Sequence, residues 1–344
     1  MRKLLLVGLL NAFVVFGAMA QPDYGDIIKG SIADTKILLE GYIGPGMRGL
    51  GSGLNQGWYN TAKPHDKFGL DLTITTSLIY VPSDEELYRV DNTQLSKIKL
   101  VEYDGKPVSL TGSANVPTIF GPDKAPTYRV YDQSGVTSST VEGPPGLDLQ
   151  NKIKLTNALP VPMYNFWLGL PKKIDLKVRF APTLTLGDLK FNLLGIGIMH
   201  DVGQYLPGVK ALPIDISLFA GYTKMELEQD LSSTANTGGT GQKAAMTINS
   251  ATVQALVSKK ISVLTLYGGI GYNFSDSKID IKGTYDLDGN GTPETKDPLS
   301  LNFNTSGFRA TAGLRLKFAV FTLHADYTLG GYDALTAGFG INIR

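Results

Sequence analysis

Lys67-Phe68-Gly69-Leu70-Asp71-Leu72-Thr73-Ile74-Thr75-Thr76-Ser77-Leu78-Ile79-Tyr80 carries the period that decides the fold. Its even positions are Phe68, Leu70, Leu72, Ile74, Thr76, Leu78 and Tyr80, against Lys67, Gly69, Asp71, Thr73, Thr75 and Ser77 on the odd ones. Successive side chains of a strand point to opposite faces, so this segment has one greasy face and one polar face. The pattern returns at Ile174–Phe180, Ile214–Tyr222, Leu264–Phe274, Phe308–Phe318, Phe321–Tyr327 and Leu335–Ile343, with Phe219 the one exception. A half-buried soluble sheet also alternates, and length separates the two cases. The runs last about 7 to 14 residues, where soluble strands cluster near five or six and a tilted membrane strand needs about 9 to 11. The polar face mixes charge with Gly, Ser and Thr, which suits a wet lumen. Tyr80, Tyr222, Tyr272 and Tyr327 fall near run ends, where an aromatic girdle would lie.

These observations predict an all-β, antiparallel transmembrane barrel. At roughly 20 residues per strand and connection, the chain beyond its first 65 residues holds about 14 strands, within a range of 10 to 16. Pro171-Lys172, Gly187-Asp188, Lys259-Lys260 and Gly330-Gly331 read as short hairpin connections. Asp84 to Leu159 is broken by Pro and Gly and reads as strands plus a long external loop.

Composition excludes several other classes. The 344 residues carry net charge +1, with 32 basic and 31 acidic side chains, so no field holds a polyanion and nucleic acid is excluded as a partner. Without Cys there is no disulfide framework, thiolate nucleophile or cysteine zinc site. Forty glycines without a three-residue period belong to folded segments. Arg2 and Lys3 precede an uncharged run from Leu4 to Ala20 that ends Ala18-Met19-Ala20, the form of a cleaved signal peptide. Later apolar stretches such as Leu193–Met199 are too short to span a membrane as helices.

The expected organisation is a signal peptide over 1–20, an N-terminal helix and Gly-rich hatch over 21–65, and a barrel over 66–344. Ile28, Ile32, Ile37, Leu38 and Leu39 predict a short amphipathic helix over Asp26–Tyr42, ended by Gly44-Pro45-Gly46 and facing the periplasm. Glycines 44, 46, 49, 51, 53 and 57 then form the hatch. Helix, loop, strand is the wrong order for a phosphate-cradling loop, so nucleotide binding is rejected.

Gly53-Leu54-Asn55-Gln56-Gly57-Trp58-Tyr59-Asn60-Thr61-Ala62-Lys63-Pro64-His65, with Gly195–Asp201, Gln204–Gly208 and Leu212–Asp215, resembles a family of uncharacterised secreted or outer-membrane proteins from Bacteroidota-like bacteria. The chain is more distantly similar to the long-chain fatty-acid transporter barrels, where a Gly-rich segment before the first strand belongs to a hatch. Thr61 stands where that pattern has Pro. The resemblance implies a plug with Asn55, Trp58, Tyr59, Asn60 and His65 as hatch or ligand residues, and a small hydrophobic solute.

Asp286, Asp288, Asn290, Glu294 and Asp297, around Gly291, have the oxygen spacing of a calcium loop, with Asp rather than Glu closing it. The alternative is an acidic hairpin turn; calcium is the one cofactor expected, if any. His65, His200 and His324 lie beside acids but far apart along the chain, and no nucleophile context is evident, so no catalytic residue is assigned. The lumen-facing charges are Lys67, Lys177, Arg179, Arg309, Arg315, Lys317 and Arg344 against Asp71, Asp175, Asp215 and Asp326, with His324 beside them. They read as cross-strand salt bridges bracing a narrow barrel, or as an anion-tolerant path. The functional expectation is a non-enzymatic outer-membrane barrel, in contact with membrane lipid and the insertion machinery, for passive or gated uptake of a small hydrophobic solute. A structural or surface-binding barrel is the alternative; a secreted β-sandwich or an outer-membrane hydrolase rank behind it.

Overall fold

The computed structural model describes residues 31–131, 137–152, 157–207, 212–231, 239–286 and 291–343. The predicted signal peptide and the start of the predicted helix lie outside the described residues. The chain opens with helix α1 (Ile32–Leu54), and β1 (Leu70–Tyr80) follows. An excursion then carries β2 (Leu87–Asp91), β3 (Ile98–Tyr103), β4 (Lys106–Pro107), β5 (Ser113–Pro117), β6 (Thr127–Tyr131), β7 (Thr137–Glu142) and the single turn α2 (Leu149–Lys152). Next come β8 (Ala158–Leu170), β9 (Ile174–Leu186), β10 (Leu189–Asp201), β11 (Asp215–Asp230), β12 (Lys243–Ile261) and β13 (Leu264–Lys282). A two-stranded hairpin, β14 (Thr284–Tyr285) with β15 (Thr295–Lys296), precedes β16 (Leu299–Phe318), β17 (Phe321–Leu329) and β18 (Ala334–Ile343).

Among the described residues ten strands close the barrel, in ring order β1, β18, β17, β16, β13, β12, β11, β10, β9 and β8, with β8 returning to β1. The expected architecture is therefore present with ten strands rather than about 14. Two causes account for the difference. β2–β7 form separate small sheets, not barrel staves. The wall strands also outrun their alternating segments: β13 reaches Lys282 and β16 begins at Leu299, well outside 264–274 and 308–318.

Those strands continue because the pattern inverts without losing phase. On β13 the outward side chains are Leu266, Ile270, Tyr272 and Phe274, then Asp276, Lys278 and Asp280, while the inward series ends in Ile279 and Ile281. On β16 the same change runs from outward Leu314 and Phe308 to Ser306 and Asn304, with Leu301 and Phe303 inward. The register places Lys224, Asn249, Asp276 and Asn304 in one row across β11, β12, β13 and β16. Below that row the barrel is apolar outside and polar inside. Above it the arrangement is that of a water-soluble sheet. Tyr222, Tyr272 and Tyr327 stand at the boundary, and Tyr222 donates to Asn249 at 2.8 Å.

Two ends follow from strand direction. Leu70 and Ile343 mark the turn end, with connections 171–173, 202–214, 262–263 and 319–320. The opposite loop end carries the excursion over 81–157 and the segment 283–298. The hairpin expected at Lys259-Lys260 turns instead at Ser262-Val263, where Ser262 takes a φ of 55°.

The predicted helix is corrected most. α1 does not stop at Gly44-Pro45-Gly46 but continues through the Gly-rich segment to Leu54. It starts at the loop end and runs down into the lumen. Inside a wall whose own bonds are spent on the sheet, a helix satisfies its backbone internally, and that outweighs the poor propensity of glycine and the bond lost at Pro45. The glycines set how closely it passes. A Cβ at Gly51 would fall 2.8 Å from the Ser275 Cβ, and one at Gly53 2.6 Å from Val161.

Candidate functional site: the plugged lumen

The inserted segment touches the wall at four levels. At the loop end Ser31 caps α1, accepting from the Asp34 amide at 3.2 Å. Buried Asp34 in turn accepts from the amides of Ser96, Lys97 and Ile98 at 2.9, 2.7 and 2.9 Å, tying the helix to the strand cap above the barrel. Leu38, Leu39, Ile43, Met47, Leu50 and Leu54 pack among the inward apolar residues of the extended wall, including Met246, Ile279, Leu301 and Phe303. Arg48 pairs with Glu85 at 2.8 Å and donates to Tyr332 at 3.2 Å, and the Tyr332 hydroxyl donates to Glu85. Burial, and then the bond to Glu85, push the Tyr332 pKa up, so the hydroxyl keeps its proton.

The middle level holds the end of α1. Four C-terminal carbonyls of any helix lack intrahelical partners and carry partial negative charge. No basic residue lies in the last turn of α1. The wall supplies the cations instead. Arg179 on β9 donates to the Leu54 carbonyl at 2.7 Å, to the Gln56 carbonyl, and to Asn165 at 2.7 Å, with its guanidinium 3.7 Å from the Trp58 ring centre. From across the barrel, Arg309 on β16 donates to the Asn55 carbonyl at 2.8 Å and the Gln56 side chain at 2.6 Å. Both arginines are buried. They are not the cross-strand salt bridges the sequence suggested, for among the described residues neither meets a carboxylate within ion-pair distance. They clamp the plug.

Below the clamp the chain descends through an aromatic cluster. Trp58 and Tyr59 pack on Phe219, at ring-centre distances of 5.5 and 6.0 Å, and Tyr59 on Tyr267 at 6.1 Å. Phe219, the misfit in the alternating run, is thus an inward aromatic that the hatch covers. Tyr59 donates to Gln254 at 2.6 Å and Tyr267 to Asp326 at 2.8 Å. Ser217 and Ser258 bond the Ala62 backbone at 2.6 and 3.1 Å.

At the turn end His65 closes the segment. Its backbone amide donates to Asp175 Oδ1 at 2.8 Å, and its ring Nδ1 lies 2.8 Å from Asp175 Oδ2. The Asn342 amide closes on its Nε2 at 2.6 Å and on Asp71 at 2.9 Å. His65 belongs to the inserted segment, not to a wall strand. Burial opposes its charged form, but the bonds with Asp175 and Asp71 outweigh this and hold its pKa above the ordinary value of 6.5. Lys177 lies 3.7 Å from Asp175 and 3.6 Å from the Trp167 ring centre, and Arg315 lies 3.7 Å from Asp71.

The structure thus gathers Asn55, Trp58, Tyr59, Asn60 and His65 in the lumen with Asp71, Asp175, Lys177, Arg179, Arg309, Arg315, His324 and Asp326. Lys67 does not join them; it is exposed at the rim and lies over the Phe68 ring, because the strand begins only at Leu70. Asp215 and Lys317 sit half-buried near the mouth, and Arg344 lies outside the described residues. His200 faces outward at the rim, 3.3 Å from the Tyr205 hydroxyl. In the acidic loop, Asp288 and Asn290 lie outside the described residues, and Glu294 is exposed. Asp286 accepts from the Gly291 amide and Asp297 from the Gly283 amide, both at 2.8 Å, so these two carboxylates shape the β14–β15 hairpin. No group of three metal-binding side chains occurs among the described residues.

The clamping role of Arg179 and Arg309 escaped the sequence reading. The available signal was a helix end with no basic residue of its own facing a lumen with surplus cations.

The chain belongs to a family of unknown function (DUF6588), whose model matches residues 1–343. No curated protein matches the sequence. Among solved structures, the attachment invasion locus protein Ail of Yersinia pestis is 8% identical, with 81% of this chain and 99% of that one covered and a TM-score of 0.26. The translocator domain of the autotransporter NalP from Neisseria meningitidis is 13% identical over 88% and 94%, with a TM-score of 0.22. A Pseudomonas aeruginosa FadL homologue is 11% identical over 80% and 90%, also at 0.22. Likenesses this shallow carry no argument about what the chain does.

Proposed function

We propose that the protein is a non-enzymatic barrel of the bacterial outer membrane that admits a small hydrophobic solute under the control of its own N-terminal segment. One observation carries the membrane reading: the exterior of a closed antiparallel barrel is apolar up to the row Lys224–Asn249–Asp276–Asn304 and polar beyond it. Leu194, Ile196, Ile198, Val253, Ile270 and Phe308 are all exposed on that belt, a surface that a soluble monomer does not leave to water. Outer-membrane lipid would cover it, and the insertion machinery would install it.

Gating is supported by the way the plug is held. Within the belt a few polar contacts from Arg179, Arg309, Ser217 and Ser258 fix the segment, and such contacts can be exchanged one at a time. The second reading, a braced structural or surface-binding barrel without transport, is favoured by the anchors at both ends, Asp34 and His65. The double variant Arg179→Met with Arg309→Met separates them. In liposomes it should admit a lipophilic probe and conduct ions more readily than the parent, and parent and variant should both fractionate with the outer membrane. Equal, background-level passage in both would end the transport reading, and recovery in the soluble periplasm would end the membrane one.

A further inference from the structure

The wall is incomplete at one place. From Leu299 to Arg309, β16 pairs with β13 alone, because the register with β17 begins only at Ala310 opposite Leu329. Above that level the β17–β18 hairpin has already turned, and among the described residues no strand covers the second edge of β16. A narrow cleft opens there. It runs between Gly307 and Phe308 on one side and Gly330, Gly331 and Tyr332 on the other, and it reaches Ser52 and Asn55 on the plug. Its depth has room for about 20 Å³, the space of a single water-sized group.

Two residues that line the cleft, Asn55 and Arg309, each carry a buried polar atom without a partner. Asn55 Oδ1 is an acceptor without a donor, and Arg309 Nε is a donor without an acceptor, although both residues are buried and their other side-chain nitrogens are hydrogen-bonded. Leaving either unpaired is costly, so the site is incomplete as it stands. The cleft sits at the boundary between apolar and polar exterior. Phe308 is 82% exposed beside its mouth, with Phe274, Tyr272 and Leu329 around it, and the polar Ser306 and Asn304 lie just above.

We propose that this cleft is a side site for the hydroxyl head of a single-chain amphiphile, a long-chain alcohol in chemical class, taken from the outer leaflet. A hydroxyl accepts from Arg309 Nε and donates to Asn55 Oδ1 in the same instant, and it fits the available volume. A phosphate head does not. The alkyl chain lies outside, along Phe308 and Leu329. The site rests on the membrane reading above, and its occupant would be the solute that the plug controls.

A diazirine-bearing fatty alcohol, photolysed with the full-length protein in phosphatidylcholine nanodiscs, tests this, with a diazirine-bearing phosphatidylcholine as the second probe. The alcohol should label residues 305–309 and 330–332 above the rest of the belt, and the phospholipid should not. Asn55→Leu should lower that labelling about five- to tenfold, the worth of one hydrogen bond. Gly330→Trp should abolish it without touching the plug, since the space around Gly330 is open and nothing lies within 3.4 Å of an added Cβ. Heat-modifiable mobility reports that each variant is folded. Uniform labelling of the belt, equal labelling by the phospholipid, or labelling that survives both substitutions overturns the site. Labelling as expected, combined with no liposome passage, leaves the site standing and removes the transport reading alone.

Discussion

His65 shows how one residue of the plug is tuned by the wall around it. The charged groups facing it are Asp71 and Asp175, with Lys177 opposing, and their balance raises its pKa above 6.5. A raised pKa means that the charged ring stabilises the folded state. That contribution is whole below the unfolded value of about 6.5 and is lost as pH climbs through the higher folded one. The unfolding midpoint of the parent in urea should therefore exceed that of His65→Gln most at about pH 5.5, and the advantage should shrink toward alkaline pH. Parallel midpoints across the range would show that the ring is anchored without charge. Phe219 is the complementary case, in which an irregularity in the period marked a contact that only the plug explains.

At the scale of the element, β13 and β16 show that one strand can serve two solvents. Ile270, 68% exposed at mid-belt, would face lipid in the proposed membrane setting, whereas Asn304 on β16 lies on the polar side opposite Asp276. Ile270→Arg should cost about 2–4 kcal/mol in a folding equilibrium measured in lipid vesicles. Asn304→Arg should stay within about 0.5 kcal/mol, since it lies in water beside a carboxylate. Equal costs at the two positions would move the boundary or remove it. The inversion also explains what the sequence hid. A segment of Leu299, Leu301 and Phe303 has its apolar residues on odd positions, and Phe308 onward has them on even ones, so the alternation alone marks only the second half of the strand. α1 was hidden for a different reason: Gly and Pro argue against a helix in water, and only the surrounding wall makes helix the best way to satisfy that backbone.

For the molecule as a whole, strand direction and helix direction together fix a topology. Outer-membrane barrels place short turns in the periplasm and long loops outside. Here the excursion 81–157 and the segment 283–298 share an end with the start of α1, while Ile343 lies at the other. In the proposed outer-membrane setting the start of α1 should therefore lie toward the cell surface. An epitope inserted between Pro22 and Asp23 should be bound by antibody on intact cells, and one added after Arg344 only after permeabilisation. The opposite pattern would reverse the barrel in its membrane.

The sequence by itself determined the fold class, the two faces of seven of the ten wall strands and the hairpins at Pro171-Lys172, Gly187-Asp188 and Gly330-Gly331, since a period of two and the length of a run are local properties that survive without neighbours; β8, β10 and β12 are not among the alternating runs. It also brought the lumen charges to notice, because polar side chains on a regular face must look into a common space, whereas the plug residues came from the resemblance to the transporter barrels. Tertiary structure decided the rest. The closing number of strands depends on which pairs form and not on how many segments alternate. The path of α1 through the lumen, the seating of Leu54, Asn55 and Gln56 between Arg179 and Arg309, and the open edge of β16 arise from elements that meet across hundreds of residues, where no local pattern records the partner.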